Sequence, residues 1–447
     1  MYLKSENKKE LLEILEHLIS YKTIYEKDSN YPFGLENKKC LDYVLSIGEK
    51  LGFKTKNLDN YCGFMEIGKG NETIGIVCHL DVVPAGENWD TNPFELTKKG
   101  NKLYGRGATD DKGPLAASII ALKIINDLGI NITKKIRLIV GCNEETGCKC
   151  MKYYKTKEKD FDYGFTPDAD FPLIHGEKGI LEFNLLTKTT NIIDIEGGTA
   201  FNKIAGTAQI KIPANSYDKE ILKNYLTENG LTLKINTNND IDTIIVEGKE
   251  GHASTPNLGK NAISYLLTDL KKANFQDEFI DFFNTYLNTS YNGEELGLNL
   301  KDDYSDLTLN IGKIKKENNL LKTSIDIRFP VTFKSTEIIK KLNNKLQSEE
   351  TELELIEVME PLYYDPNTKL ITKLYEAYQE ISHDKESKPL VIGGGTYAKT
   401  LNNCVGFGPC FPNENNNIHN ANEFIEINRL YDLVEYYVVA ILKLLEI

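Results

Sequence analysis

The stretch Thr73-Ile74-Gly75-Ile76-Val77-Cys78-His79-Leu80-Asp81-Val82-Val83-Pro84 sets the reading of this chain. Ile74, Ile76 and Val77 form a short apolar run of the kind that makes a buried strand. At its end an imidazole and a carboxylate stand two residues apart. In extended backbone, residues i and i+2 project to the same side. His79 is therefore placed to hold a metal ion while Asp81 steadies its other ring nitrogen, as outer-shell partners of metal-bound histidines do. A lone His-x-Asp also suits an ordinary hydrogen-bonded loop, so further ligands must come from elsewhere in the chain.

Outward from this strand, residues 8–20 and 37–51 read as amphipathic helices, and 62–67 and 102–104 as short strands. Residues 113–128 read as a helix with Leu115, Ile119, Leu122 and Ile124 or Ile125 on one face, and 135–140 as another buried strand. Strands alternating with helices indicate an α/β sheet covered on both faces. The pattern changes after about residue 180. Half-exposed strands are expected at 181–187, 204–212, 231–235, 243–248, 306–314 and 321–329, with helices near 218–228, 260–272, 277–288 and 335–347. That mixture is α+β. A helix from about 366, a strand at 389–392, the run Gly393-Gly394-Gly395 and a helix at 429–445 return to the first pattern. The expected fold class is α/β: a central, mostly parallel sheet flanked by helices, built from 1–179 and 362–447, with an enlarged α+β insertion at 180–361.

Composition narrows the function. With 447 residues, 40% hydrophobic and 27% charged, the chain has globular composition, and its net charge of −13 opposes a nucleic-acid partner, which would call for a basic face. No run approaches the ~18 apolar residues of a membrane helix. The start, Met1-Tyr2-Leu3-Lys4-Ser5-Glu6, lacks the apolar core of a signal peptide. The eight cysteines form no Cys-x-x-Cys pair, so reduced thiols and a cytoplasmic location are expected; Cys148 and Cys150 receive no role. His17 lies at a helix edge, His383 in a charged loop, and His175 matches no ligand position.

Four further segments carry acidic or imidazole chemistry. Gly105-Arg106-Gly107-Ala108-Thr109-Asp110-Asp111-Lys112-Gly113 sets two carboxylates before a helix, beyond what N-capping alone needs. Asn143-Glu144-Glu145-Thr146-Gly147 follows a buried strand, where sites in α/β sheets occur. Thr166-Pro167-Asp168-Ala169-Asp170 is an acidic turn, and Ile418-His419-Asn420-Ala421-Asn422-Glu423-Phe424 supplies a histidine before the last helix. His79, Asp110, Glu145, Asp168 and His419 together offer two imidazoles and three carboxylates, a set suited to two borderline divalent ions such as zinc, manganese or cobalt.

HLDVVP, GRGATDDKG, NEETG, TPDADFP, GHAS, DIRFP, GGGTYA and NIHNANEFI occur in an order that resembles the two-metal aminoacylase/carboxypeptidase family, with PepV-like dipeptidases nearest and carnosinases further off. The resemblance covers nearly the whole chain. It implies that His79 and Asp168 bind one ion, Glu145 and His419 the other, and Asp110 bridges them, zinc being the first candidate. It implies that Asp81 orients His79, that Glu144 is the general base, and that the Asp110–Asp111 peptide is cis. His252 matches the family's oxyanion donor, and Asn202, Arg328, Gly394, Gly395 and Thr396 match its hold on the substrate carboxylate; Phe201-Asn202-Lys203 departs from the family's usual run at that point. The insertion is longer than the lids of dimeric relatives, which implies a monomer whose own lid supplies His252. The function so implied is a metal-dependent dipeptidase acting on dipeptides with free ends. An N-acyl amino acid deacylase or desuccinylase on the same fold is the enzyme alternative. A metal-binding homologue without catalysis is opposed by the presence of all five ligands and Glu144.

Overall fold

Thr73–His79 lies inside a mixed sheet, with Lys135–Gly141 on one side and Tyr163–Thr166 on the other, both parallel to it. Cys404–Gly406 extends the parallel set beyond Tyr163–Thr166. On the other flank the pairing turns antiparallel, through Cys62–Gly68 to Lys54–Leu58. Parallel pairing is thus confined to the centre, where helical crossovers allow it. The structure is a computed structural model describing residues 2–347, 350–411 and 414–447. It divides into two units, one of Met1–Gly176, Tyr364–Leu390 and Gly395–Ile447, the other of Glu177–Tyr363 and Val391–Gly394.

In the first unit the crossover helix Lys112–Asp127 is apolar almost all round. Leu115, Ile119, Leu122 and Ile125 are buried, and so are Ala116, Ala117 and Ala121. It lies against the sheet and is flanked by Ser5–Ser20 and Ile427–Leu445, leaving only Lys123, Asn126 and Asp127 near its C-terminal end in reach of water. Gly75 and Gly164 are paired across two parallel strands, and both press on the Phe161 ring. A Cβ at Gly75 would stand 2.3 Å from Phe161 Cδ1. Gly75→Ala is therefore expected to destabilise the protein by ~1–3 kcal/mol through overpacking. An unchanged denaturation midpoint would contradict that packing.

The second unit carries an antiparallel sheet in the order Thr232–Asn238, Ile241–Glu247, Thr207–Pro213, Asp194–Gly198, Thr308–Glu317, Leu320–Phe329, Gly179–Lys188 and Thr351–Met359. Thr207–Pro213 buries Ala208, Ile210 and Ile212 in strict alternation, the period of a sheet with one covered face. Ala262–Lys272 and Glu278–Tyr286 supply Leu266, Phe279 and Phe283 to the same core. Lys54–Leu58, Tyr163–Thr166, Asp194–Gly198 and Cys404–Gly406 are not among the expected strands, and two further elements also differ from expectation. Thr351–Met359 is an edge strand whose Leu355, Ile356 and Val358 are exposed, so its sequence lacks a core alternation. Lys149–Lys157 is a short helix that buries only Cys150, Met151 and Tyr154.

Candidate functional site

Three parallel strands end at one edge of the first unit's sheet. Thr73–His79 ends on His79, Lys135–Gly141 leads into Glu144 and Glu145, and Tyr163–Thr166 leads to Asp168. Crevices at the carboxyl ends of parallel strands are where α/β sheets bind ligands. Asp110 precedes the helix Lys112–Asp127, and the Asp110–Asp111 peptide is cis. His419 comes from the segment before Phe424–Glu426, which pairs with Lys102–Tyr104.

Asp110 stands between the two histidines, with one oxygen to each. Its Oδ1 lies 2.8 Å from His79 Nε2 and its Oδ2 lies 2.9 Å from His419 Nε2. His79 Nε2 is also 3.7 Å from Asp168 Oδ2, and His419 Nε2 is 3.1 Å from Glu145 Oε1. Donor atoms of His79, Asp110 and Glu145 lie within 4.8 Å of one another, as do those of His79, Glu144 and Asp168. Glu144 therefore sits with the His79–Asp168 pair and Glu145 with His419, in one continuous cluster.

The orientation of His79 differs from the expectation. Its Nδ1–H donates to the Asp81 backbone carbonyl at 2.9 Å, because a carbonyl can only accept. The Asp81 carboxylate is 3.7 Å from that nitrogen and instead accepts the backbone N–H groups of Glu144 at 2.9 Å and Glu145 at 3.0 Å. Asp81 thus turns Nε2 of His79 inward with its backbone and holds the two glutamates with its side chain. Asp111 accepts the His79 backbone N–H at 2.9 Å, while its buried Oδ1 has no hydrogen-bond partner among the described residues.

Burial and, after it, crowded like charges shape the electrostatics. Burial and the Asp168 charge push the Glu144 carboxyl well above its usual range. Burial and Asp110 push Glu145 up to about 7. Asp110 is buried too, yet hydrogen bonds from His419 and His79 hold it far below the usual range. Burial opposes protonation of His419, but Asp110 and Glu145 raise it to about 11. The ion pairs of Asp110, Glu145 and Asp168 run to His79 and His419. Two imidazoles against four clustered carboxylates leave a negative excess that divalent cations would neutralise, and the donor types suit zinc, manganese or cobalt. The residues present fit such ions.

The remaining assigned residues fall differently. In the second unit, Gly251–His252 pairs with Lys203–Ile204, and the Asn202 carbonyl accepts the Ala253 N–H at 2.9 Å, so Asn202 and His252 are neighbours. His252 is exposed, with Nδ1 2.7 Å from Ser254 Oγ. Arg328 was expected to offer a bidentate edge to a carboxylate, but Asp326 already takes that edge: Nε and Nη2 donate to its oxygens at 2.7 and 2.6 Å. Residues i and i+2 share a strand face, which puts Asp326 there. Arg328 Nη1 donates to the Gly393 carbonyl at 3.2 Å. Gly394 belongs to the second unit, whereas Gly395 and Thr396 belong to the first, where Thr396 Oγ1 accepts from the Ala398 N–H.

Glu182, opposite Asp326 and Glu357 on neighbouring strands, is pushed up to about 7 by burial and by those two charges. A carboxyl raised in the folded state contributes stability below its ordinary value of 4.5, and that contribution is lost as pH rises through about 7. Glu182→Gln is therefore expected to show a smaller fall in thermal midpoint than the parent between pH 4.5 and 8. Parallel curves for the two proteins would contradict the raised pKa.

Fold and site together define a metal-dependent peptidase. The chain belongs to peptidase family M20/M25/M40, whose pattern its residues 75–443 match. It is 33% identical to a Staphylococcus haemolyticus protein named provisionally as a dipeptidase, over 97% of each chain. A Staphylococcus aureus (strain USA300) protein with the same kind of name is 36% identical over 92% of each chain. Human carnosine dipeptidase 1 shares the fold at a TM-score of 0.62 and 16% identity, covering 99% of this chain and 97% of that one. Dug1p, a dipeptidase of Saccharomyces cerevisiae, does so at 0.60 and 16% identity, over 99% and 97%. The architecture expected from the sequence, an α/β sheet domain with an inserted α+β region, is the one these relatives share.

Proposed function

We propose that the cluster at the strand ends hydrolyses dipeptides with free amino and carboxyl termini. Metal-dependent dipeptide hydrolysis is the activity that family membership and the dipeptidase-named relatives support. The observation that carries the site assignment is Asp110, with one carboxylate oxygen at 2.8 Å from one imidazole and the other at 2.9 Å from the second. A carboxylate so placed spans two ion positions: His79 and Asp168 would complete one, Glu145 and His419 the other. Bound there, two divalent cations would polarise the peptide carbonyl and acidify a water.

The chain's own groups do the rest. Glu144 takes the water proton at a carboxylate oxygen and returns it to the departing amine. Asp81 keeps Glu144 aimed by holding its backbone N–H. Asp110 and Glu144 are the acidic groups for the substrate's free amine. The same reading gives His252 the role of oxyanion donor, and gives Asn202, Gly394, Gly395, Thr396 and the outer N–H groups of Arg328 the substrate carboxylate. The unit Glu177–Tyr363 serves as the lid, in a monomer working in the cytoplasm with zinc, manganese or cobalt. No helix among the described residues is long and apolar enough to cross a membrane.

The test is a substrate panel on enzyme stripped and refilled with each metal. Free dipeptides should be cleaved, and N-acetylated or C-amidated versions should lose most of that rate. Turnover of N-acyl or N-succinyl amino acids with none on dipeptides would replace this reading with the deacylase.

A further inference from the structure

Glu423 is 1% exposed, in the same segment as His419, and its two oxygens receive four donors. Oε2 accepts from Arg106 Nη1 at 2.7 Å and from the Gly107 N–H at 3.1 Å. Oε1 accepts from the Thr109 N–H at 3.0 Å and the Asp110 N–H at 3.2 Å. The segment is fastened further where Thr109 Oγ1 donates to the Phe424 carbonyl at 2.8 Å and the Gly105 N–H donates to the Glu423 carbonyl at 3.1 Å. Arg106, also 1% exposed, offsets the buried charge and lies against the Trp89 ring at 5.3 Å.

The two carboxylate oxygens offer acceptor sites for all four bonds, whereas the amide of a glutamine would replace one acceptor with a donor. Such charge-assisted bonds are about twice as strong as neutral ones. The donors it collects are the loop that delivers Asp110, and the backbone it belongs to delivers His419. One side chain outside the ligand set therefore ties these two segments together. We infer that Glu423 is a positioning residue that presets the separation of Asp110 and His419, so that the site is formed before an ion enters it. This rests on the reading of Asp110 and His419 as metal ligands.

The test is a zinc titration of stripped full-length protein, comparing the parent with Glu423→Gln, Glu423→Asp and Asp110→Asn. Glu423→Gln should bind zinc roughly 10–100-fold more weakly, the usual cost of losing an outer-shell partner. Its kcat should fall more than its KM changes. Glu423→Asp keeps the charge but shortens the reach, so it should fall between the parent and Glu423→Gln. A folded Glu423→Gln with parental zinc affinity overturns the inference, provided Asp110→Asn has lost affinity in the same titration. If Asp110→Asn also binds as the parent does, the ligand reading itself has failed. Hydrogen exchange of the 105–111 backbone in the stripped parent needs no variant. Protection before zinc is added is the expected result, and rapid exchange that only zinc suppresses overturns the inference.

Discussion

Glu144→Gln is expected to lower kcat by ~10³–10⁴, near the top of the range for general acid–base catalysis, with both ions still bound. The expectation follows from the division of the two adjacent glutamates. Glu145 is 3.1 Å from His419, at the position proposed for the second ion. Glu144 groups with His79 and Asp168, and burial and the Asp168 charge push its carboxyl well above the usual range. The amide is isosteric and can still accept from its surroundings, but it cannot take a proton from water at neutral pH. Glu145→Gln should behave differently, losing zinc and activity together. Metal analysis of the two purified variants separates the roles. If Glu144→Gln loses an ion and Glu145→Gln does not, the assignments are exchanged. Retained turnover in Glu144→Gln would remove the proposed mechanism.

Asp110→Ala has the other large expected effect. In the proposed site both ion positions share this carboxylate, so its loss should weaken both ions by more than the roughly 10–100-fold typical of an outer-shell partner. Lewis acidity of a bound metal is worth several kcal/mol in the reaction, and each 1.36 kcal/mol is tenfold in rate. Activity should therefore fall by ~10³ or more. The variant should also lose the mutual alignment of His79 and His419, which now meet its two oxygens at 2.8 and 2.9 Å. Zinc stoichiometry by elemental analysis and residual kcat/KM give the two readouts. Two ions retained at parental affinity would show that Asp110 does not bridge.

Much of the site was legible because its parts are short and sit at element boundaries. His79 follows an apolar run, Glu144 and Glu145 follow another, Asp110 precedes a helix and His419 precedes the short strand that leads into the last one, so pattern alone places them at ends rather than middles. What pattern cannot give is which atom of a residue makes a contact. Asp81 was readable as a partner of His79, but not that its carbonyl meets the ring while its carboxylate holds the next loop. Asp326 and Arg328 are two apart on a strand, which signals a same-face pair and was the available clue that the Arg328 fork is taken. Glu423 lies beside Phe424-Ile425, but so does the half-buried Glu426, so adjacency to an apolar strand does not single it out. Its four donors come from residues more than 300 positions earlier, beyond the reach of any local pattern. The edge strand Thr351–Met359 escaped for the opposite reason, since an exposed strand has no core face to mark it.

The decisive measurement is anomalous scattering at the zinc edge from crystals of the refilled enzyme. Two peaks are expected, on opposite sides of the Asp110 carboxylate, one by His79 and Asp168 and the other by Glu145 and His419. A single peak, or one coordinated by the Asp81 side chain, would contradict a dinuclear site built on Asp110.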